Sequence, residues 1–124
     1  METGIFARRA SITINKIEIT MRELTLDDIG ELKVALMSIF KKVNIDDMAN
    51  GKLTLVDIVG VFLSKETVSA VKEVLALLTD RTKAEYNNLS ISAFKTLVKL
   101  FFEVNPPGEI KELFTMVTDL LPTK

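Results

Sequence analysis

The chain has 124 residues, of which 48% are hydrophobic and 27% charged, and its 16 basic and 17 acidic residues leave a net charge of -1. This composition fits one folded domain and supplies no basic surplus for nucleic-acid binding. The chain has no cysteine and no histidine, which excludes disulfides, thiol catalysis and the most common general base. No apolar run approaches the roughly 20 residues of a bilayer span, so we expect a cytoplasmic protein with no membrane or nucleic-acid partner.

The first twenty residues differ in character from the rest of the chain. Ser11–Thr20 is rich in β-branched residues, and its isoleucines alternate in two different registers. This pattern allows one bulged strand, two short strands or an extended arm, and a strand here would need a partner strand, from this chain or from another subunit. We therefore expect residues 1–20 to form an N-terminal arm or extension, and residues 21–124 to form a separate helical domain.

From Thr25 onward the apolar residues follow a helical period. Two helices begin with a capping-box pattern, a hydroxyl and a carboxylate three residues apart, at Thr25–Asp28 and Thr54–Asp57. Asn44–Lys52 is expected to be a polar loop, and Tyr86 to lie at the surface of another. The sequence predicts an all-α fold, a small bundle of about five helices, with a short N-terminal β arm as an option. The expected helices cover about residues 26–43 and 65–79, with a short apolar stripe at residues 55–62 between them. A fourth helix, capped by Ser90 or Ser92, ends at the segment Asn105–Gly108, and a fifth, capped by Asn105 or Gly108, ends at Pro122.

The carboxylate-rich segments are the candidates for a metal or catalytic site. Asp46, Asn50 and Asp57 would occupy positions one, five and twelve of a calcium-binding loop, but Met48 at position three cannot bind calcium. An interhelix loop followed by a helix cap is the favoured interpretation. Asp27 and Asp28 fit the first turn of a helix, where acids stabilise the dipole. We predict no catalytic, cofactor-binding or metal-binding residue, and we expect no enzymatic activity and no cofactor.

The last two predicted helices are more apolar than one buried face requires. A helix that is apolar on more than one face is either central in its bundle or covered by a partner. Methionine suits a surface that adapts to varied partners, because its side chain is flexible. For the second possibility, the predicted partner-binding residues are Leu100, Phe101, Phe102, Phe114 and Met116.

The same region resembles a known family. The segment Phe94–Phe114, which reads FKTLVKLFFEVNPPGEIKELF, is similar to the C-terminal part of tail assembly chaperones from long-tailed phages of Gram-positive hosts. Those small helical proteins often have an apolar helix that ends near Phe-x-Glu-Val-Asn and is followed by a second helix. The segment Leu24–Ile29, which reads LTLDDI, also looks similar. The likeness covers about residues 21–122.

The resemblance implies a non-enzymatic function. Such chaperones bind the long, helical, aggregation-prone tape measure protein before tail tube subunits polymerise around it, and they are absent from the finished virion. It also implies that the protein presents an apolar groove repeatedly, as a homo-oligomer. The alternative is a helical structural adaptor or a regulatory protein-interaction module. Stoichiometry distinguishes the two, because a chaperone releases its client and a structural subunit stays in the assembly.

Overall fold

A computed structural model of the chain describes residues 8–120, with side chains for all of them except residues 45, 55, 113, 114 and 116–120. Within this range an antiparallel hairpin precedes six α-helices. The prediction of a mostly helical fold is confirmed, but the fold is not purely all-α. The elements are β1 (Arg9–Ile14), β2 (Ile17–Arg22), α1 (Leu26–Phe40), α2 (Ile45–Ala49), α3 (Leu55–Phe62), α4 (Val68–Leu78), α5 (Ile91–Val104) and α6 (Pro107–Leu120), with a 3-10 helix at Lys83–Tyr86.

The β-branched segment forms two short strands joined by a tight turn. β1 and β2 pair over six positions, and Ile14 lies opposite Ile17 at the turn. Asn15 and Lys16 form the two-residue loop, with φ angles of 51° and 70°. A loop with positive φ at both positions matches the right-handed twist of the strands it joins. The two isoleucine registers of the sequence therefore belong to two strands, and the pairing places their isoleucines on the same face of the hairpin.

The hairpin contributes to the hydrophobic core. Ile19 and Met21 of β2 are buried, Met21 completely, while Ile12 and Ile14 of β1 are half-buried against the same core. Both strands contact α5. The predicted boundary at residue 20 falls inside β2, so the division into an arm (1–20) and a helical domain (21–124) does not follow the packing.

α1 and α3 begin at their predicted capping residues, whereas α4 begins at Val68, three residues later than predicted. The predicted capping box of α3 is confirmed: Asp57 Oδ2 accepts from the Thr54 N–H at 3.0 Å, and Thr54 Oγ1 accepts from the Asp57 N–H at 3.1 Å. α1 packs mainly against α4, α2 packs against α6, and α5 contacts the hairpin and α3. Because α5 has neighbours on several sides, Leu97 and Val98 at its centre are almost completely buried.

Two local predictions were wrong. The expected polar loop Asn44–Lys52 contains α2, a helix of five residues, in which the Asn44 side chain accepts from the Asp47 N–H at 3.0 Å and Met48 is buried. Tyr86 is also buried, and its hydroxyl lies 2.7 Å from Thr79 Oγ1. One helical turn is too short to display a periodicity, and the 3-10 helix that carries Tyr86 inward is shorter still.

Candidate binding surface

Two of the predicted partner-binding residues lie inside the core. Leu100 and Phe101 of α5 are each only 4% exposed. The reason is the position of α5, whose apolar sides are covered by other elements of this chain. In this conformation Leu100 and Phe101 stabilise the fold and present no surface to a partner.

The third predicted residue, Phe102, lies at the edge of the core. Its side chain is half-buried, and its ring centroid lies 6.2 Å from that of Phe62 in α3 and 5.0 Å from that of Phe101. Offset or edge-to-face rings at such distances attract one another. Phe102 is thus held in place by two aromatic neighbours while part of it stays accessible. Phe114 and Met116 lie in α6, and their side chains fall outside those that the structure describes, so their roles stay predictions.

Apolar residues cover both sides of α3. Ile58, Val59 and Phe62 face the core. On another side, Val56 is 70% exposed and Leu63, which caps the C-terminus, is 38% exposed. A helix that is apolar all round is ordinarily buried, so this side of α3, with its exposed valine and leucine, is a candidate for a binding surface.

The exposed residues of α3 form one stripe. Positions 56, 60 and 63 follow the four-and-three spacing that aligns residues on one side of a helix, and Gly60 between the two apolar residues is also exposed. A Cβ atom added at Gly60 would meet nothing within 4 Å, so this part of the stripe is open. We define the α3 surface as Val56, Gly60 and Leu63.

α1 carries a second exposed stripe. Leu26 and Val34 are 78% and 79% exposed, and Gly30 between them is exposed as well. Glu31 and the half-buried Lys33 flank this α1 surface, whereas the only charged residue within α3 is Asp57. The α3 surface is therefore the more apolar of the two.

The carboxylates near the hairpin have structural partners. Asp28 at the start of α1 accepts from both terminal nitrogens of Arg22, at 2.5 and 3.0 Å, and from the Thr25 N–H at 2.8 Å. Burial raises the pKa of Asp28, but the guanidinium of Arg22 and the bond from Thr25 outweigh it and hold the pKa below its usual value. This ion pair fixes the hairpin to α1.

The other polar residues of the described range do not favour one class of ligand over another. Burial raises the pKa of the Tyr86 phenol, and its hydrogen bond to Thr79 partly offsets that rise. Within the described part of the chain, no three Asp or Glu residues come close enough to hold a metal ion. An open groove of about 700 Å³ lies beside β2 and the end of α4, and it contains three basic and three acidic residues: Arg9, Arg22, Arg81, Glu18, Asp80 and Glu85.

No family model, curated protein or solved structure matches this chain. None of the helices in residues 8–120 combines the length and the apolar character that crossing a bilayer requires. The exposed apolar surfaces and the motif at the end of α5 are therefore the features that bear on function.

Proposed function

We propose that this protein is a non-enzymatic, chaperone-like binding protein that covers an apolar helical client. The proposed client is the tape measure protein of a long-tailed phage, bound in the host cytoplasm during tail assembly. The observation that carries the proposal is the α3 surface, where Val56 and Leu63 are exposed on a helix whose other sides are also apolar. The resemblance of Phe94–Phe114 to tail assembly chaperones supports the identity of the client.

The size of the α3 surface suits weak, repeated binding. Complete burial of one fully exposed valine or leucine side chain contributes about 1.5–3 kcal/mol. Because Val56 is 70% and Leu63 38% exposed, covering both would contribute only about 2–3 kcal/mol, which corresponds to binding weaker than the millimolar range. Several copies on one long client would raise the overall affinity through multivalency. A homo-oligomer of such subunits would hold the client firmly, yet each contact would be weak enough for tail tube subunits to displace.

A pair of matched double variants tests this proposal. Val56→Glu/Leu63→Lys makes the α3 surface polar, and Leu26→Glu/Val34→Lys makes the same change on the α1 surface. The glutamates fall in first helical turns and the Leu63 lysine at a C-terminus, where the helix dipole favours each charge. All four positions are exposed, so we expect both variants to retain the helical circular dichroism of the wild type.

Binding is measured by pull-down of the cognate tape measure protein with each variant. We expect the α3 variant to lose the client and the α1 variant to retain it. Equal retention by both variants would overturn the assignment of the α3 surface. A complex that persists in the finished tail would favour the alternative, a helical structural adaptor, because a chaperone must leave before assembly is complete.

A further inference from the structure

Within residues 8–120, no strand pairs with the outer edge of β1. In a hairpin with a two-residue loop, the residues that flank the loop exchange both backbone hydrogen bonds, and every second pair repeats this arrangement. Ile14 and Ile17 flank the loop here. Counting every second pair from them reaches Arg8 and Glu23, and there the Glu23 N–H donates to the Arg8 carbonyl at 2.8 Å. The backbone groups of Arg9, Ser11 and Thr13 therefore point away from β2.

Nothing in residues 8–120 pairs with this edge. The sheet there has two strands, and α5 packs against the strands without extending the ladder. Proteins ordinarily protect such edges with proline, lysine, a bulge or a covering segment. β1, which reads RASITI, has no proline, no lysine and one charged residue. It is an open template for another strand.

We propose that a second copy of this chain pairs antiparallel with β1, so that two hairpins form one four-stranded sheet around a twofold axis at Ser11. Such an interface is self-complementary, because the same strand contributes from both sides. Arg9, Ser11 and Thr13 of one copy then pair with Thr13, Ser11 and Arg9 of the other. Every unpaired edge group of these three residues gains a partner.

Charge complementarity selects this register. Arg9 and Glu18 are exposed, and neither forms an ion pair with any residue of the described range. Thr13 lies opposite Glu18 within the hairpin, so pairing around Ser11 places Arg9 of the second copy in the row of Thr13 and Glu18. Neighbouring strands are about 4.8 Å apart, so Arg9 of the second copy and Glu18 of the first are two strands apart. Their long side chains would meet above the short Thr13 that lies between them. A shift by two residues in either direction removes this match.

The inner face of the sheet favours the same arrangement. The residues between the edge-facing positions, Ala10, Ile12 and Ile14, are half-buried against the core. Pairing around Ser11 brings Ala10 of one copy beside Ile12 of the other, and cross-strand apolar neighbours of this kind stabilise a sheet. The dimer would thus extend the apolar layer under the hairpin across the axis.

Two proline variants at matched positions test the inference. Ser11 and Thr20 lie opposite each other, and their hydroxyl oxygens are 2.7 Å apart. Both N–H groups point away from the hairpin ladder, Ser11 toward the β1 edge and Thr20 toward the β2 edge. Ser11→Pro and Thr20→Pro therefore cost the same hydroxyl contact and spare the ladder, but only Ser11→Pro blocks pairing at β1.

The readout is the mass in solution by sedimentation over a concentration series, with the chain alone. We expect the wild type and Thr20→Pro to reach twice the chain mass of 13.8 kDa, and Ser11→Pro to stay at the single mass. A wild type that stays monomeric at every concentration, or proline variants that behave alike, would overturn the inference. No client is needed, so this outcome is independent of the proposed function.

A charge exchange covers the case in which proline disturbs the fold. Arg9→Glu and Glu18→Arg should each weaken the dimer about tenfold, because like charges then meet across the interface twice. The double variant Arg9→Glu/Glu18→Arg should restore the wild-type dissociation constant. Single variants without effect, or a double variant as weak as the singles, would contradict the Ser11-centred register.

Discussion

The ion pair between Arg22 and Asp28 connects the hairpin to the first helix through two residues. Both oxygens of Asp28 accept from the guanidinium, and one of them also accepts from the Thr25 N–H of the helix cap. The Asp28 side chain is only 6% exposed, so solvent screens this pair little. Loss of the Asp28 charge would leave Arg22 partly buried without its partner.

Asp28→Asn should therefore lower the free energy of unfolding by about 1–3 kcal/mol near neutral pH. The pKa of Asp28 is lowered in the folded state, so its stabilisation is present above the unfolded value of about 3.9 and is lost as the pH falls through the folded value. The difference between variant and wild type should shrink in acid. Urea unfolding at neutral and acidic pH measures it.

Asp27→Asn is the matched control for that measurement. It removes a neighbouring acid from the same helical turn, yet Asp27 is exposed and forms no ion pair with a described residue. Its effect should be small at both values of pH. If the two variants were destabilised equally, the Arg22–Asp28 pair would not be the source of the stability.

At the scale of elements, the hairpin is part of the core and not an appendage. Met21 of β2 is completely buried, so Met21→Ala should lower the free energy of unfolding by about 2–5 kcal/mol. Thr20→Ala, on the exposed side of the same strand, should change it by much less. Chemical denaturation of both variants compares them. A small effect of Met21→Ala would contradict the contribution of β2 to the core.

Sequence reasoning found the elements whose signals are local. The capping residues Thr54 and Asp57 mark the start of α3, and the proline pair marks the boundary between α5 and α6. It missed α2, which has one turn, and it left the hairpin open because the turn residues Asn15 and Lys16 lack the usual glycine. The burial of Tyr86 depends on a long-range fit that no local pattern reveals.

At the scale of the whole molecule, the apolar surplus of the sequence divides between core and surface. Leu100 and Phe101 were candidates for binding because they add apolar residues to α5, but α5 is central and buries them. The sequence pattern does not single out Val56 and Leu63, although α3 contains a single charged residue. The number of apolar residues therefore indicates that some of them are exposed, but only the packing shows that Val56 and Leu63 of α3 are among the exposed ones.

The most direct test of the proposed chaperone function is co-expression of this chain with the cognate tape measure protein, followed by pull-down and light scattering. The α3 surface predicts that the tape measure protein is soluble only when this chain is present, in a complex that contains several copies of the chain per client. An insoluble tape measure protein, beside a chain that stays monodisperse on its own, would contradict the proposed function.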